Sequence, residues 1–258
     1  MIFMSLPVAV QLYSIRKEVA ADFDSALKSV KEMGYDGVEF AGLNGKTPAE
    51  IKAMCEKYGL TPISAHVGFG DLINNAEGVI SAYAEIGCKQ IVIPSLSLKF
   101  LPGGECFDEF VTGVETISGL CYQYGMRLGF HNHDTEFQKI DGKAMLDIMF
   151  EVMPAGIIDM QPDTCWVHAG GEDPAKYIEK YSGRVKTIHL QDYSGTRGAE
   201  DFCIRPVGYG KLDINGIIES VNKNNVEWII IEQDNPDDGR TAMECIKLCI
   251  DRLKELIK

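Results

Sequence analysis

Short apolar runs that end in a polar residue recur along the chain and alternate with amphipathic stretches. Several of the runs are apolar throughout, which is typical of parallel strands covered by helices. The pattern predicts strands near residues 8–12, 37–40, 62–66, 90–94, 127–131, 157–160, 185–190 and 227–232. It predicts helices over 22–33, 48–58, 74–86, 107–124, 143–149, 174–180, 214–222 and 241–256. This alternation favours an α/β fold, a single (β/α)8 TIM barrel that spans residues 1–258.

Glycines mark several of the predicted helix ends. The segments "EMGYDG" and "KYGLTP" place Gly just after a helix and before the next strand, which is a common C-cap. A doubly wound open sheet is the rival architecture, but its Gly-x-Gly-x-x-Gly fingerprint is absent after the first strand. The irregular stretch 192–211 is long enough to indicate a lid or a binding loop.

Four predicted strands lead into His, Asp or Glu. His131 ends "RLGFH", Asp163 follows "IIDMQP", His189 follows "VKTI" and Glu232 follows "WIII". The carboxyl ends of barrel strands meet at the rim where TIM-barrel active sites lie. Two imidazoles and two carboxylates suit one divalent metal ion, and Mn2+, Mg2+, Co2+ and Zn2+ are all compatible with them. We therefore expect these four residues to form a metal site.

These candidates also have structural explanations. Asp163 suits a helix N-cap, and Asp159 competes with it from within the same predicted strand. His189 could be a hydrogen-bonded core histidine, which strand alternation places on one face with Thr187. The occurrence of four such residues in succession favours the functional explanation.

The densest polar cluster is "HNHDTEF". His131 and His133 share one alternation phase, and Glu136 follows three residues later. A metal ligand, an acid/base group and a substrate contact could all come from this segment, and the sequence does not choose among them. The candidate catalytic residues are Glu232, Glu136 and His131.

Other polar and aromatic residues are expected to contact the substrate. Trp166 offers an apolar platform for a sugar face, and Arg205 lies in the long loop after the seventh strand. The remaining expected contacts are Gln11, Glu39, His66 and His133.

The charge and the cysteines limit the class of protein. A net charge of −13 argues against binding to nucleic acid or to an anionic membrane surface. The eight cysteines contain no Cys-x-x-Cys pair, and the chain starts without a signal-peptide pattern. We therefore expect a cytoplasmic protein in a reducing compartment. We expect no nucleic-acid or membrane partner, and the sequence is compatible with a homo-oligomer.

The chain resembles the sugar phosphate isomerase/epimerase family of xylose-isomerase-like TIM barrels, in particular an "HNH" subgroup. The resemblance lies in "VQLYSIR", "GYDGVEFAG", "FHNHDTEF", "DTCWVHAGGEDP", "GRVKTIHLQD", "PVGYGKLD" and "IIIEQD". It implies that Asp163, His189 and Glu232 are metal ligands. His131 stands where the family has its first glutamate. Gln191, a further expected substrate contact, stands where many relatives have Lys, which makes a phosphorylated substrate less expected.

The resemblance favours a metal-dependent isomerase or epimerase that acts on a sugar or polyol ketone. The alternative is a metal-dependent lyase or dehydratase that acts on a keto-sugar or keto-inositol, because the same proton abstraction can lead to β-elimination. A non-catalytic sugar-binding barrel is a third option, since fold does not fix function.

Overall fold

Parallel strands alternate with helices along the chain, as the apolar pattern predicts. A computed structural model describes residues 6–237 and 239–256. The strands are β1 (Val8–Gln11), β2 (Gly37–Phe40), β3 (Thr61–His66), β4 (Gln90–Ile93), β5 (Arg127–His131), β6 (Asp159–Gln161), β7 (Thr187–Leu190) and β8 (Trp228–Ile231). The helices are α1 (Arg16–Ala21), α2 (Phe23–Met33), α3 (Pro48–Tyr58), α4 (Phe69–Ile86), α5 (Phe107–Gln123), α6 (Met145–Val152), α7 (Thr164–Ala169), α8 (Pro174–Lys180), α9 (Ile214–Lys223) and α10 (Ala242–Leu256).

The eight strands form one sheet whose two ends meet. Their order is β6-β5-β4-β3-β2-β1-β8-β7, and each neighbouring pair is parallel. Two isolated parallel bridges, Met160 to Val185 and Asp163 to His189, join β6 to the segment of β7. The predicted TIM barrel is therefore confirmed, and the open-sheet alternative is excluded.

Alternation along β7 separates the two sides of the barrel wall. Ile188 and Leu190 belong to the apolar core between strands and helices, whereas Thr187 and His189 take the other phase and join a buried polar network. Asp159, at the start of β6, forms an ion pair with Arg127 at the amino end of the strands, with an Nε–Oδ2 distance of 2.6 Å. Asp163, and not Asp159, thus lies at the carboxyl end.

Some elements differ from the predicted ones. The short helices α1 and α7 are absent from the prediction, because six residues are too few to show a clear helical period. Helix α4 begins at Phe69 instead of residue 74, and Asn75 interrupts it with non-helical dihedrals of φ −155° and ψ 54°. The long loop after β7 contains a short hairpin, which pairs Asp192–Ser194 with Cys203–Arg205.

Helix ends follow the local sequence. Asp22 caps α2 by accepting a hydrogen bond from the Ser25 backbone, and Thr47 forms a capping box with Glu50 at the start of α3. Gly34 adopts the left-handed conformation after α2, as "EMGYDG" predicts. Within the described residues, none of the helices has the length and apolar character needed to cross a membrane.

Two glycine substitutions test the packing of the barrel. A Cβ at Gly37 in β2 would lie 2.7 Å from the Thr61 backbone oxygen, whereas a Cβ at Gly119 on the exposed side of α5 would meet nothing within 4 Å. We expect Gly37→Ala to lower the free energy of unfolding by about 1–3 kcal/mol through overpacking. Gly119→Ala should raise it by roughly 0.5–1 kcal/mol, because Ala favours the helix. Urea unfolding would measure both, and an equal effect of the two would contradict the packing described.

Candidate active site

The four predicted metal ligands converge at the carboxyl end of the barrel. His131 ends β5, Asp163 follows β6, His189 lies in β7 and Glu232 follows β8. Each offers one ligand atom, and these atoms all lie within 4.8 Å of one another. All four side chains are buried. We call these residues the ligand cluster.

His189 lies between two carboxylates. Its Nδ1 is 2.7 Å from Glu232 Oε2, and its Nε2 is 2.5 Å from Glu39 Oε2. Burial alone would lower the pKa of His189, but Glu39 and Glu232 raise it well above the usual value. Burial would likewise raise the pKa of Glu232, and the His189 charge lowers it below the usual value. The three side chains thus form a buried charged triad that extends from β2 to β8.

Asp163 caps a helix and also lies in the ligand cluster. Its Oδ1 accepts a hydrogen bond from the Trp166 backbone, so it does cap α7. Its Oδ2 accepts a hydrogen bond of 3.0 Å from Gln191 Nε2. Burial, together with the charge of Glu232, raises the pKa of Asp163 well above the usual value. A cation at the ligand cluster would offset this cost of burying a carboxylate.

His131 has a nitrogen without a partner. Its Nδ1 is buried and accepts or donates no hydrogen bond among the described residues. Burial and the neighbouring His189 and His66 lower its pKa well below the usual value, so the ring is neutral. A neutral imidazole with an unpaired nitrogen, a second imidazole and two carboxylates fit the ligand set of a divalent ion.

Glu136 lies outside the ligand cluster. Its carboxylate is 2% exposed and accepts a hydrogen bond of 2.9 Å from the His133 backbone. Burial raises the pKa of Glu136 to about 7. Of the two candidates from "HNHDTEF" for the fourth ligand, the structure brings His131, and not Glu136, to the other three ligands. The catalytic role of Glu136 stays a prediction.

A cavity of about 600 Å³ opens next to the ligand cluster. We call it the mouth cavity. Its polar wall contains His66, His131, His133, Glu232 and Asp234. The remaining lining residues are Tyr13, Arg16, Ala41, Pro94, Ser95 and Asn235.

Five of the seven predicted substrate contacts divide into two groups. His66 and His133 line the mouth cavity, as expected of substrate-contacting residues. Gln11 and Glu39 are fully buried and hydrogen-bonded to each other, and Gln191 is fully buried between Asp163 and the Asp234 backbone. The structure does not bring these three to the described wall of the mouth cavity.

Trp166 and Arg205 belong to the region around the long loop. Trp166 stacks on Phe202, with ring centroids 5.8 Å apart, and its ring lies 5.5 Å from that of His133. Arg197 places its guanidinium over the Trp166 ring and bonds Asp134. Arg205 instead pairs with Ser194 and Asp237. The predicted loop therefore covers Trp166 beside the site and is anchored to the segment after β5.

Several site residues were missed in the sequence. Ser64 and Gln161 both donate to Glu39, at 2.6 and 2.8 Å. Each lies two residues before a predicted site residue, His66 or Asp163, so the strand period was the signal that could have found them. Arg16, which donates a hydrogen bond of 2.9 Å to the Asp234 carbonyl, lies in the motif "VQLYSIR".

A family model described as "Xylose isomerase-like TIM barrel" matches residues 27–249. The chain belongs to this family, which confirms the resemblance seen in the sequence, while the "HNH" subgroup stays a prediction.

Among curated proteins, the chain is similar to inosose dehydratases. It is 23% identical to the one from Geobacillus kaustophilus over 66% of this chain and 61% of that protein, which is less than two thirds of that relative's length. It is 25% identical to the one from Clostridium beijerinckii over 82% of each chain.

Solved structures share the fold. A sugar phosphate isomerase/epimerase from Parabacteroides distasonis superposes with a TM-score of 0.81 at 21% identity, over 98% of this chain and 100% of that one. The IolI protein, solved with a bound zinc atom, superposes with a TM-score of 0.76 at 15% identity, over 98% of each chain. At this identity the likeness establishes the barrel alone.

Glu136 makes the stability of the protein pH-dependent. Its pKa is about 7 in the fold against a usual 4.5, so the folded state binds this proton more strongly than the unfolded chain. The stabilisation is complete below about pH 4.5 and is lost as the pH rises to about 7. The loss corresponds to roughly 3 kcal/mol.

We expect Glu136→Gln to remove this dependence, because Gln accepts the same backbone hydrogen bond but carries no titrating carboxyl. Urea unfolding of both proteins at pH 5 and pH 8, with a chelator present, would measure it. An identical pH dependence in the two proteins would rule out the assignment.

Proposed function

We propose that this protein is a metal-dependent lyase that removes water from a polyhydroxylated ketone, such as a keto-inositol or a keto-sugar. The observation that carries the proposal is the composition of the polar wall. Glu232 faces the mouth cavity together with the imidazoles of His66 and His133, and His131 occupies the place of the family's first glutamate. A carboxylate base beside imidazoles that can act as acids suits an elimination, whereas the resemblance implies that epimerases of this family use two glutamates. The inosose dehydratase relatives support the same choice.

The ligand cluster would hold the metal ion. When bound, a divalent ion polarises the ketone and makes the neighbouring C–H bond more acidic. The unpaired Nδ1 of His131 and the raised pKa of Asp163 both support an ion at this position. The ion is one of Mn2+, Mg2+, Co2+ or Zn2+, all of which accept these ligand types.

Glu232 is the proposed base. It lines the mouth cavity, and its lowered pKa keeps it ionised and able to accept a proton. It removes the proton from the carbon beside the ketone, and the electron pair of that bond moves towards the ketone oxygen. When the pair returns, the carbon–oxygen bond at the next carbon breaks and hydroxide departs.

His133 is the proposed acid for the leaving group. It reaches the mouth cavity from the end of β5, whereas Glu232 comes from the end of β8. Burial lowers the pKa of His133, so a proton on it is given up readily, while the Glu232 charge acts in the opposite direction. Its proton combines with the departing hydroxide to give water, and the products are an unsaturated ketone and water.

The charges of the mouth cavity favour a substrate without a phosphate group. Arg16 is the single Lys or Arg among its described lining residues, and it already donates to the Tyr13 and Asp234 carbonyls. The carboxyls of Glu232 and Asp234 would repel an added phosphate. A hydroxylated ring can instead contact Tyr13, which is 45% exposed at the rim.

Isomerisation of a sugar or polyol ketone is the second candidate. A single base such as Glu232 can remove a proton from one carbon and return it to the neighbouring carbon. The sequence favoured this reaction, and the first chemical step is the same.

Other expectations stay proposals. The core cluster has members from Val8 to Leu253, which supports one domain over the chain. All eight cysteines are free, in agreement with a cytoplasmic protein. A homo-oligomer stays open.

The metal centre can be tested at Asp163. Asn serves well as an N-cap but is a weaker metal ligand, so Asp163→Asn should keep α7 and lose metal. We expect the loss of metal affinity to exceed the ~10–100-fold that is typical when a residue contacts a metal-binding side chain but not the metal itself. Asp173→Asn, at the exposed N-cap of α8, is the matched control. Elemental analysis and metal titration would measure the effect. Unchanged metal in both Asp163→Asn and Glu232→Ala would mean that the ion binds elsewhere.

The chemical step can be followed in D2O with inosose as the substrate. We expect wild-type protein to exchange the proton beside the ketone and to release water, which gives a product with ultraviolet absorption. Glu232→Gln, at saturating metal, should slow the exchange by ~10²–10⁴-fold. His133→Gln should retain exchange and lose elimination.

The outcomes separate the candidates. A rearranged product that contains deuterium and has not lost water would favour isomerisation over dehydration. Exchange at the full rate in Glu232→Gln would exclude Glu232 as the base.

A further inference from the structure

Glu39 is a buried carboxylate whose oxygens are surrounded by donors. Gln11 Nε2 and His189 Nε2 lie 2.7 and 2.5 Å from Oε2, and Ser64 Oγ and Gln161 Nε2 lie 2.6 and 2.8 Å from Oε1. An ionised carboxylate offers about four acceptor sites, so these contacts satisfy it. Glu39 is 0% exposed, and its environment is complete without a substrate.

These contacts determine which nitrogen of His189 keeps its hydrogen when the other nitrogen binds an ion. The amide nitrogens of Gln11 and Gln161 can only donate, and they donate to different Glu39 oxygens, so the carboxylate acts as an acceptor on both sides. The short contact to His189 Nε2 therefore requires a hydrogen on that nitrogen. The other nitrogen, Nδ1, faces Glu232 at 2.7 Å, on the side of the ligand cluster.

The ring plane of His189 is also held from one face. The His66 ring stacks on it with centroids 5.0 Å apart and an interplanar angle of 7°. His66 Nε2 in turn donates to Gln161 Oε1 at 2.8 Å, while Gln161 Nε2 donates to Glu39. One network thus fixes both the edge and the face of the imidazole.

We propose that Glu39 is a positioning residue that holds His189 as the Nε2–H tautomer, with Nδ1 as its metal-binding nitrogen. The proposal rests on the metal centre of the proposed function. A carboxylate that accepts from the far nitrogen of a metal-bound His fixes the ring and raises its basicity, and its loss typically costs 10–100-fold in metal affinity. Glu39 acts through His189 and touches no reacting atom.

The test uses the full chain with Zn2+ as the probe. Zinc affinity is measured by competition with a chelator for the wild type, for Glu39→Gln and for the control Asp159→Asn. Asp159 is a buried carboxylate at the opposite end of the same barrel. We expect a ~10–100-fold loss in Glu39→Gln, because a neutral amide oxygen is a weaker acceptor for the imidazole N–H than a carboxylate and the amide NH2 would face the Gln161 donor. Asp159→Asn should keep the wild-type affinity.

A spectroscopic measurement on the wild type tests the same proposal without depending on the stability of any variant. The imidazole ¹⁵N shifts of His189 in the zinc-loaded wild type should identify Nδ1 as the zinc-bound nitrogen and Nε2 as protonated. Zinc on Nε2, or an unchanged affinity in a folded Glu39→Gln, would overturn the role of Glu39 and leave the metal centre intact. A wild type that binds no zinc would contradict the metal centre itself, and this role with it.

Discussion

The contact of His189 with Glu39 and Glu232 is the interaction on which the rest of the site depends. All three side chains are buried, and isolated charges at such positions would be costly. Each of the three is tolerated because the others are present, and because Gln11, Ser64, Gln161 and other amides and hydroxyls satisfy the remaining polar atoms. The barrel makes this arrangement available, since its closure brings β2, β7 and β8 to one rim.

Features that depend on the periodicity of residues within one segment could be predicted from the sequence. Alternation of apolar runs and amphipathic stretches predicted the barrel, and polar residues at strand ends predicted the four residues that the structure brings within 4.8 Å. Both inferences need only the periodicity of residues within a single strand or helix. They are independent of which strands lie opposite each other across the barrel.

Contacts that depend on strand register were beyond this type of reasoning. Gln161 on β6 meets Glu39 on β2 only through the stagger of the closed sheet, which no single segment encodes. Glu136 follows a strand end as the ligands do, but a short 3-10 turn directs its carboxylate to the His133 backbone. Phe202 and Arg197 of the long loop pack over Trp166, and this contact between distant segments could not be predicted from the Trp166 segment alone.

The seam where the barrel closes has a further consequence. Between β6 and the segment of β7, isolated bridges and the Thr164 hydroxyl take the place of a regular ladder. Asp163 and His189 face each other across this seam. An ion shared by them would act as a reversible cross-link between β6 and β7, the two strands at which the sheet closes. Such an ion would bind the closed barrel in preference to the unfolded chain. Metal supply would then set not only the activity of the protein but also its lifetime against heat and proteolysis.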